Sequence, residues 1–433
     1  MNKITRRHFL CSSIVVGTGL TLGITGCAGD DDDSDNEGSA AQTEAKFGII
    51  SDPHIYDLSL GTTGEAFQEA LDSDRKMFLE SVEILETIVA DLLTEELDFV
   101  LVPGDLTKDG ERICHEKFRS IMMPLRDAGI PVYVVPGNHD INNSHAYSYS
   151  GSIEASVPNV SPAEFEEIYE DFGFGAAIYK DSNSLSYIAE VADNVWLFAI
   201  DSCKYGHTAG EITEAAQQWI KDMLAQASAE GKLVFGMLHH GMTPHFALQP
   251  MMFGEYVIDD YEAVGKTLAD AGLNLFFTGH FHAQDIAVKE FEASTLYDVE
   301  TGSSVTAPSP YRVVELDIPS KSFDIYSSVV ETLPSMPDFA TYKEEFLNSG
   351  MLRLNEAYLT ALGLDTSLAP ATSEIYISHL KGDEPGYTNM SAGTAAAVNY
   401  MITNSDPTYV QLGYGLVDWA EDDTPDGESK ITL

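Results

Sequence analysis

The chain has 433 residues, 44% of them hydrophobic, and a formal net charge of −46 from 69 acidic against 23 basic residues. This length has room for two domains, or one large domain with an accessory piece, and the hydrophobic share excludes wholesale disorder. The charge makes nucleic acid an unlikely partner, since a polyanion would be repelled over most of the surface; an anionic substrate would need strong local positive charge, for which bound metal is the obvious source.

Residues 1–27 open with a basic head (Lys3, Arg6, Arg7) and continue through a mild apolar stretch over 9–24. That stretch falls short of the roughly 20 apolar residues of a spanning helix, so an export signal is the better reading. The run from Thr5 to Leu10 (TRRHFL) resembles a twin-arginine motif, and ITGC ending at Cys27 resembles a lipobox. The resemblance implies a lipid on Cys27 and an exported lipoprotein held on the membrane at the cell envelope or surface. A general secretory signal with two incidental arginines is the alternative. Residues 28–45 carry Asp30 to Asp33, Asp35 and Glu37 among small and polar residues, and read as a solvated tether. Cys114 and Cys203 are left as one disulfide or two thiols, and cysteine count excludes a Cys-based metal site.

From residue 46 apolar runs alternate with helical segments. KFGIIS (46–51) is followed by a helical stripe of Phe78, Val82, Leu85, Val89 and Leu92, then the strand FVLV (99–102), a helix over about 112–128 and the strand PVYVV (131–135). Later come VWLFAIDS, a helix over about 212–229, LVFGMLHH, a helix over about 261–271, and LNLFF (273–277). Such alternation predicts an α/β fold with parallel strands and helical crossovers, as two facing sheets or one mixed sheet. Strands with turns occupy about 287–330, giving a core over 46–333. Residues 334–433 read as a helical accessory region, with segments at 338–350, 351–364 and 391–403.

The informative residues follow the strands. They are Asp52 and His54 after FGIIS, Asp105 after FVLVP, Asn138, His139 and Asp140 after VYVVP, His239 and His240 after VFGML, and His280 and His282 after LNLFFT. Ligands gather at the carboxyl ends of strands in open α/β sheets. Carboxylate, imidazole and amide oxygen suit Mn, Fe or Zn, and a carboxylate can bridge two ions that clamp both oxygens of an in-line attack on phosphorus. The glycines beside Asp105, Asn138 and His280 permit close backbone approach.

The ordered set DxH, GD, GNHD, HH and GHFH resembles the calcineurin-like metallophosphoesterase superfamily over about 46–330. The resemblance implies a β-sandwich flanked by helices and two divalent or trivalent metal ions. Asp52, His54 and His282 would hold one ion and Asn138, His239 and His280 the other, with Asp105 bridging. His239 is favoured over His240 because the family's ligand is the first His of such a pair. His139 would assist the leaving oxygen, with Asp140 orienting it. His240, His245 and Asn142 are candidates for substrate contact. Lys108 stands where purple acid phosphatases carry an iron-binding tyrosine, and GDLTKDGE with PGNHDINN looks like the class III cyclic-nucleotide phosphodiesterases. The expected activity is phosphodiester hydrolysis of a small molecule by a hydroxide bridging the metals. Phosphomonoesters or nucleotide pyrophosphates are alternative substrates, and a binding lipoprotein with a vestigial site is the non-enzymatic alternative.

Overall fold

The computed structural model describes residues 42–382, 384–421 and 426–433; the signal and Cys27 lie outside them. Strand β1 (Glu44–Ile49) sets the pattern for the core. Phe47 points inward, with its ring 5.8 Å from that of Phe235 and 5.5 Å from that of Phe277. Gly48, on the opposite face, lies against Leu92, so near that a Cβ would sit 3.2 Å from the leucine methyl.

The stripe expected over 78–92 divides. Helix α1 (Glu65–Asp72) is separate, and α2 (Ser81–Leu92) buries Ile84, Leu85, Ile88, Val89 and Leu92 as one amphipathic face. Phe78 precedes α2, with its carbonyl accepting from the Ser81 hydroxyl, and joins Tyr56 and Phe67 in a smaller aromatic cluster. Next come β2 (Phe99–Val102), α3 (Arg112–Asp127), β3 (Val132–Val134), the hairpin β4 (Tyr147–Ser150) and β5 (Ile153–Ser156), and α4 (Pro162–Ile168). The second half of the core holds β6 (Tyr179–Lys180), β7 (Tyr187–Ala192), β8 (Val195–Ala199), α5 (Glu214–Ala229), β9 (Leu233–Met237), α6 (Gln249–Met252), α7 (Tyr261–Asp270) and β10 (Leu275–Thr278). It closes with β11 (Asp285–Glu290), β12 (Thr295–Glu300), β13 (Pro310–Asp317) and β14 (Ser322–Val329).

Helices α8 (Phe339–Ala361), α9 (Ala369–Lys381), α10 (Ala392–Ile402) and α11 (Pro407–Trp419) follow, and β15 (Glu428–Thr432) ends the chain. Among the described residues the strands form a six-stranded sheet, ordered β15-β14-β13-β1-β2-β3, a seven-stranded sheet, ordered β11-β12-β10-β9-β8-β7-β6, and the separate hairpin. Both large sheets are mixed. β1, β2 and β3 run parallel, as do β8, β9, β10 and β12, while the outer strands pair antiparallel. The inner faces meet in the main core, where each fully buried Phe contributes about 1.5–3 kcal/mol. α5 and α7 cover the outside of the seven-stranded sheet through Ile220, Leu224, Val264 and Leu268.

The C-terminal helices have their own core, with Met351, Ile375, Leu416 and Trp419 packed on Phe246 and Phe281 of the sandwich. Two features differ from the sequence expectation. The segments at 338–350 and 351–364 form one helix, with Gly350 buried within it against Asp74 and Arg75. The region expected to be helical to its end instead returns to the sandwich as β15, where Ile431 is its one buried side chain. No helix of the described residues is long and apolar enough to cross a membrane, and Cys114 and Cys203 are free thiols.

Candidate metal centre

The carboxyl ends of the inner parallel strands meet at one edge of the sandwich. β1 leads to Asp52 and His54, β2 to Asp105, β3 to Asn138 and His139, β9 to His239, and β10 to His280 and His282. Five of these residues occupy left-handed backbone: Asp52 (φ 48°), His54 (39°), Asp105 (49°), His280 (81°) and His282 (68°). Such conformations cost of order 1–3 kcal/mol each for non-glycine residues and persist where the surroundings enforce them. The glycines let the strand ends touch. A Cβ on Gly137 would collide with the Asp105 carboxylate, and one on Gly279 with Ser51 Oγ and Asp52 Oδ2.

Two groups of donors share one carboxylate. In the first, His54 Nε2 lies 3.1 Å from His282 Nε2 and 3.5 Å from Asp105 Oδ2, and His282 Nε2 lies 3.4 Å from Asp52 Oδ1. In the second, His239 Nε2 lies 3.0 Å from Asn138 Oδ1 and 3.4 Å from Asp105 Oδ2, with His280 alongside. The outward ring nitrogens explain why the inward ones are lone pairs. His54 Nδ1 meets the Thr107 carbonyl at 3.2 Å, His239 Nδ1 the Pro103 carbonyl at 2.9 Å, and His280 Nε2 the Glu255 carbonyl at 3.2 Å. A carbonyl only accepts, so each of those nitrogens carries the proton and the other ring nitrogen can bind metal. Burial alone would push the Asp105 carboxyl up, but His239, His139 and His54 around it hold it well below the usual range. Burial and Lys76 keep His54 well below its ordinary value, and burial and His240 do the same for His280; both stay neutral. The donor set, its orientation and its burial fit a pair of metal ions.

Residues 45–284 match the family model of calcineurin-like phosphoesterases. The chain belongs to that family. It is similar, at 23% identity over 226 residues, to a protein named as a probable cyclic nucleotide phosphodiesterase of Psychrobacter arcticus; the match covers 49% of this chain and 66% of that one. It is similar, at 24% over 232 residues, to a cAMP/cGMP dual specificity phosphodiesterase of Mycobacterium tuberculosis, covering 53% and 60%. The matches span less than two thirds of either relative. Among solved structures, a dimetal phosphatase from Danio rerio is similar with 16% identity and a TM-score of 0.48, covering 66% of this chain and 96% of that chain.

Within this calcineurin-like phosphoesterase, His139 stands apart from the two donor groups. Its side chain is 27% exposed, whereas those of His54 and His239 are fully buried, so it faces the approach to the centre. Its Nδ1 lies 2.9 Å from Asp109 Oδ1. Burial and Lys76 pull this imidazole down, yet Asp105 and Asp109 outweigh them and leave its pKa above the ordinary value. Burial opposes ionisation of Asp109, but the bond to His139 and the Lys108 ammonium hold its carboxyl at about 2.

Four expectations need correction. Asp140 does not orient His139; its carboxylate accepts from the backbone N–H groups of Leu106, Thr107 and Gly137 and from the Thr107 hydroxyl, knitting the β2 and β3 loops together. Adjacent residues on this turn point opposite ways, and the orienting carboxylate is Asp109. His240 cannot meet substrate: it is fully buried, with Nδ1 on Ser202 Oγ at 2.8 Å and Nε2 on the Thr208 carbonyl at 2.8 Å. His245 turns away from the centre into a buried cluster with Asp285, Glu300 and His379. Asn142 is exposed and lies outside the cavity wall; its neighbour Asn143 bonds the His139 carbonyl at 3.1 Å.

A cavity of about 430 Å³ opens beside His139. Lys76, Lys108, Asp109, His145, Tyr147 and Tyr149 are among its lining residues. Lys76, Lys108 and Asp109 escaped the sequence reading as site residues. Asp109 had a signal, the acidic residue within GDLTKDG, but its contact with His139 spans 30 positions.

Proposed function

We propose that the protein is a two-metal phosphoester hydrolase that prefers small phosphodiesters. The observation that carries this reading is the sharing of one buried carboxylate oxygen, Asp105 Oδ2, between His54 on one side and His239 on the other. Asp52, His54 and His282 would hold one ion, Asn138, His239 and His280 the second, and Asp105 both; the donors suit Mn, Fe or Zn. When bound, such a pair supplies positive charge to the phosphate oxygens and acidifies water for in-line attack. The protein's own residues complete the reaction. His139, protonated and held through Nδ1 by Asp109, presents Nε2 to the departing oxygen as its proton donor. Lys76 and Lys108 bring positive charge to the wall of a cavity with room for a second ester group. That room, with the names of the two relatives, supports a diester over a monoester.

The test compares bis(p-nitrophenyl) phosphate with p-nitrophenyl phosphate, using metal-stripped protein resupplied with Mn. Metal-restored activity favouring the diester is expected. Preference for the monoester would make the protein a phosphatase, and silence on both substrates across several metals would sink the reading.

We also propose that residues 1–27 direct export and that a lipid on Cys27 anchors the protein at the envelope, with the residues between Cys27 and β1 as a tether; Glu44 and Ala45, read as linker from sequence, pair with β13 instead. The basic head, apolar stretch, ITGC sequence and acidic run support this. Cys27→Ser should move the protein from the membrane fraction to the soluble fraction; an unchanged distribution would count against the anchor.

A further inference from the structure

A second set of metal-type donors is buried where the C-terminal helices meet the sandwich. His245, in the loop after β9, places Nδ1 3.1 Å from Nε2 of His379, in the last turn of α9. The same Nδ1 lies 3.2 Å from Oδ2 of Asp285, the first residue of β11. One ligand atom from each residue falls within 4.8 Å of the others. The His245 side chain is 2% exposed, and Asp285 and His379 are buried.

The far nitrogen of each imidazole meets a carboxylate. Glu300 Oε2 lies 3.0 Å from His245 Nε2, and Glu384 Oε1 is bonded to His379 Nδ1. The bond to Glu384 keeps the proton on His379 Nδ1 and a lone pair on Nε2, while His245 stands between the carboxylates of Glu300 and Asp285 with Nδ1 turned to the cluster. This is the carboxylate–histidine arrangement that orients metal-binding imidazoles. Among the described residues neither Asp285 Oδ2 nor Glu300 Oε2 accepts a hydrogen bond. His245 Nδ1, His379 Nε2 and Asp285 Oδ2 thus face one another at 3.1–3.2 Å, an arrangement that either a metal ion or a proton on His245 would hold together. Ligands about 2.0–2.1 Å from a tetrahedral zinc ion stand about 3.3 Å apart. The binuclear centre has the same nitrogen spacing, 3.1 Å between His54 and His282. Asp285 and Glu300 are also direct cross-strand partners, and like charges so placed are destabilising without a counterion.

We propose that His245, Asp285 and His379 form a third metal site, for a divalent ion of the zinc class, which fastens the C-terminal helices to the sandwich. Two imidazoles select zinc-like ions over calcium or magnesium. The site is structural: the His379 ring packs against those of Phe246, Phe281 and Trp419, at 6.0, 5.3 and 5.6 Å. It stands independently of the proposed hydrolase activity. The rival is a proton, with a His245 imidazolium between Asp285 and Glu300.

The test strips the full chain with a chelator, refills it with zinc, removes the excess and counts metal per chain by mass spectrometry. About three equivalents are expected for the wild type and about two for His379→Gln. The same loss of one ion is expected when His379→Gln is added to Asp105→Asn, which disturbs only the binuclear centre. With cobalt, the ion retained in Asp105→Asn should show the strong visible bands of a tetrahedral site, absent from the double variant. Equal counts with and without His379→Gln overturn the proposal and leave the proton as the clamp. If that variant does not fold, Asp285→Asn replaces it, and a wild-type count of about two or fewer overturns the proposal by itself.

Discussion

Asp109 and Asp140 divide between them the work that sequence proximity assigns to one residue. Asp109 raises the pKa of His139 by hydrogen bond and charge, so Asp109→Asn removes a group that stabilises the imidazolium. The proton donor is then lost at lower pH. The basic limb of the pH–rate profile should move down, with kcat reduced about 10- to 100-fold, less than the roughly 10²–10⁴-fold of losing a general acid outright because His139 itself remains. A fall in kcat with an unmoved limb would mean that Asp109 serves only packing. Asp140→Ala strands the donors of Leu106, Thr107 and Gly137, each worth about 1–3 kcal/mol when left unmet in the interior. It should lower the melting temperature sharply while the limb stays in place in whatever folds. The ligand residues were legible because each follows an apolar run by one to five positions. The Asp109 contact was not, since no local pattern marks a pairing across two strand-end loops.

At the level of elements, parallel strands bounded by glycine and polar residues were legible from 46 to 282, because burial on both faces writes continuous apolar runs. The hairpin of β4 and β5 left no such trace: all four residues of β5 are exposed. Nor did β15, where Ile431 alone is buried. Yet β15 contributes more than an edge. The Asp426 carbonyl just before it accepts from the buried Arg312 at 2.6 Å, and the Asp426 carboxylate accepts from Ile286 N at 2.7 Å. Deleting residues 426–433 should therefore lower stability and expose the β14 edge, seen as an earlier melt and aggregation; an unchanged melt would show that β15 is dispensable. Gly279→Ala tests the close approach at β10. Its Cβ would displace Ser51 and Asp52, so the variant should lose metal at the first group, and full retention would refute the packing account.

At the scale of the whole molecule, the chain carries 69 acidic residues against 23 basic ones, yet its centre is built to receive an anion. Long-range repulsion should slow the approach of a phosphodiester, and salt screens it over a Debye length of about 8 Å at physiological strength. The value of kcat/KM should accordingly rise as ionic strength increases from about 0.01 to 0.15 M, the opposite of a nucleic-acid binder. A fall would mean that Lys76, Lys108 and the bound metals govern encounter. The sandwich joins its two sheets at the edge where seven donors converge, and Asp105 is the residue that both donor groups require. Asp105→Asn, assayed for turnover of bis(p-nitrophenyl) phosphate and for metal content, is therefore the most direct measurement. Turnover should fall by at least about 10²–10³-fold with loss of bound metal; wild-type rate with full metal content would contradict a shared two-metal centre.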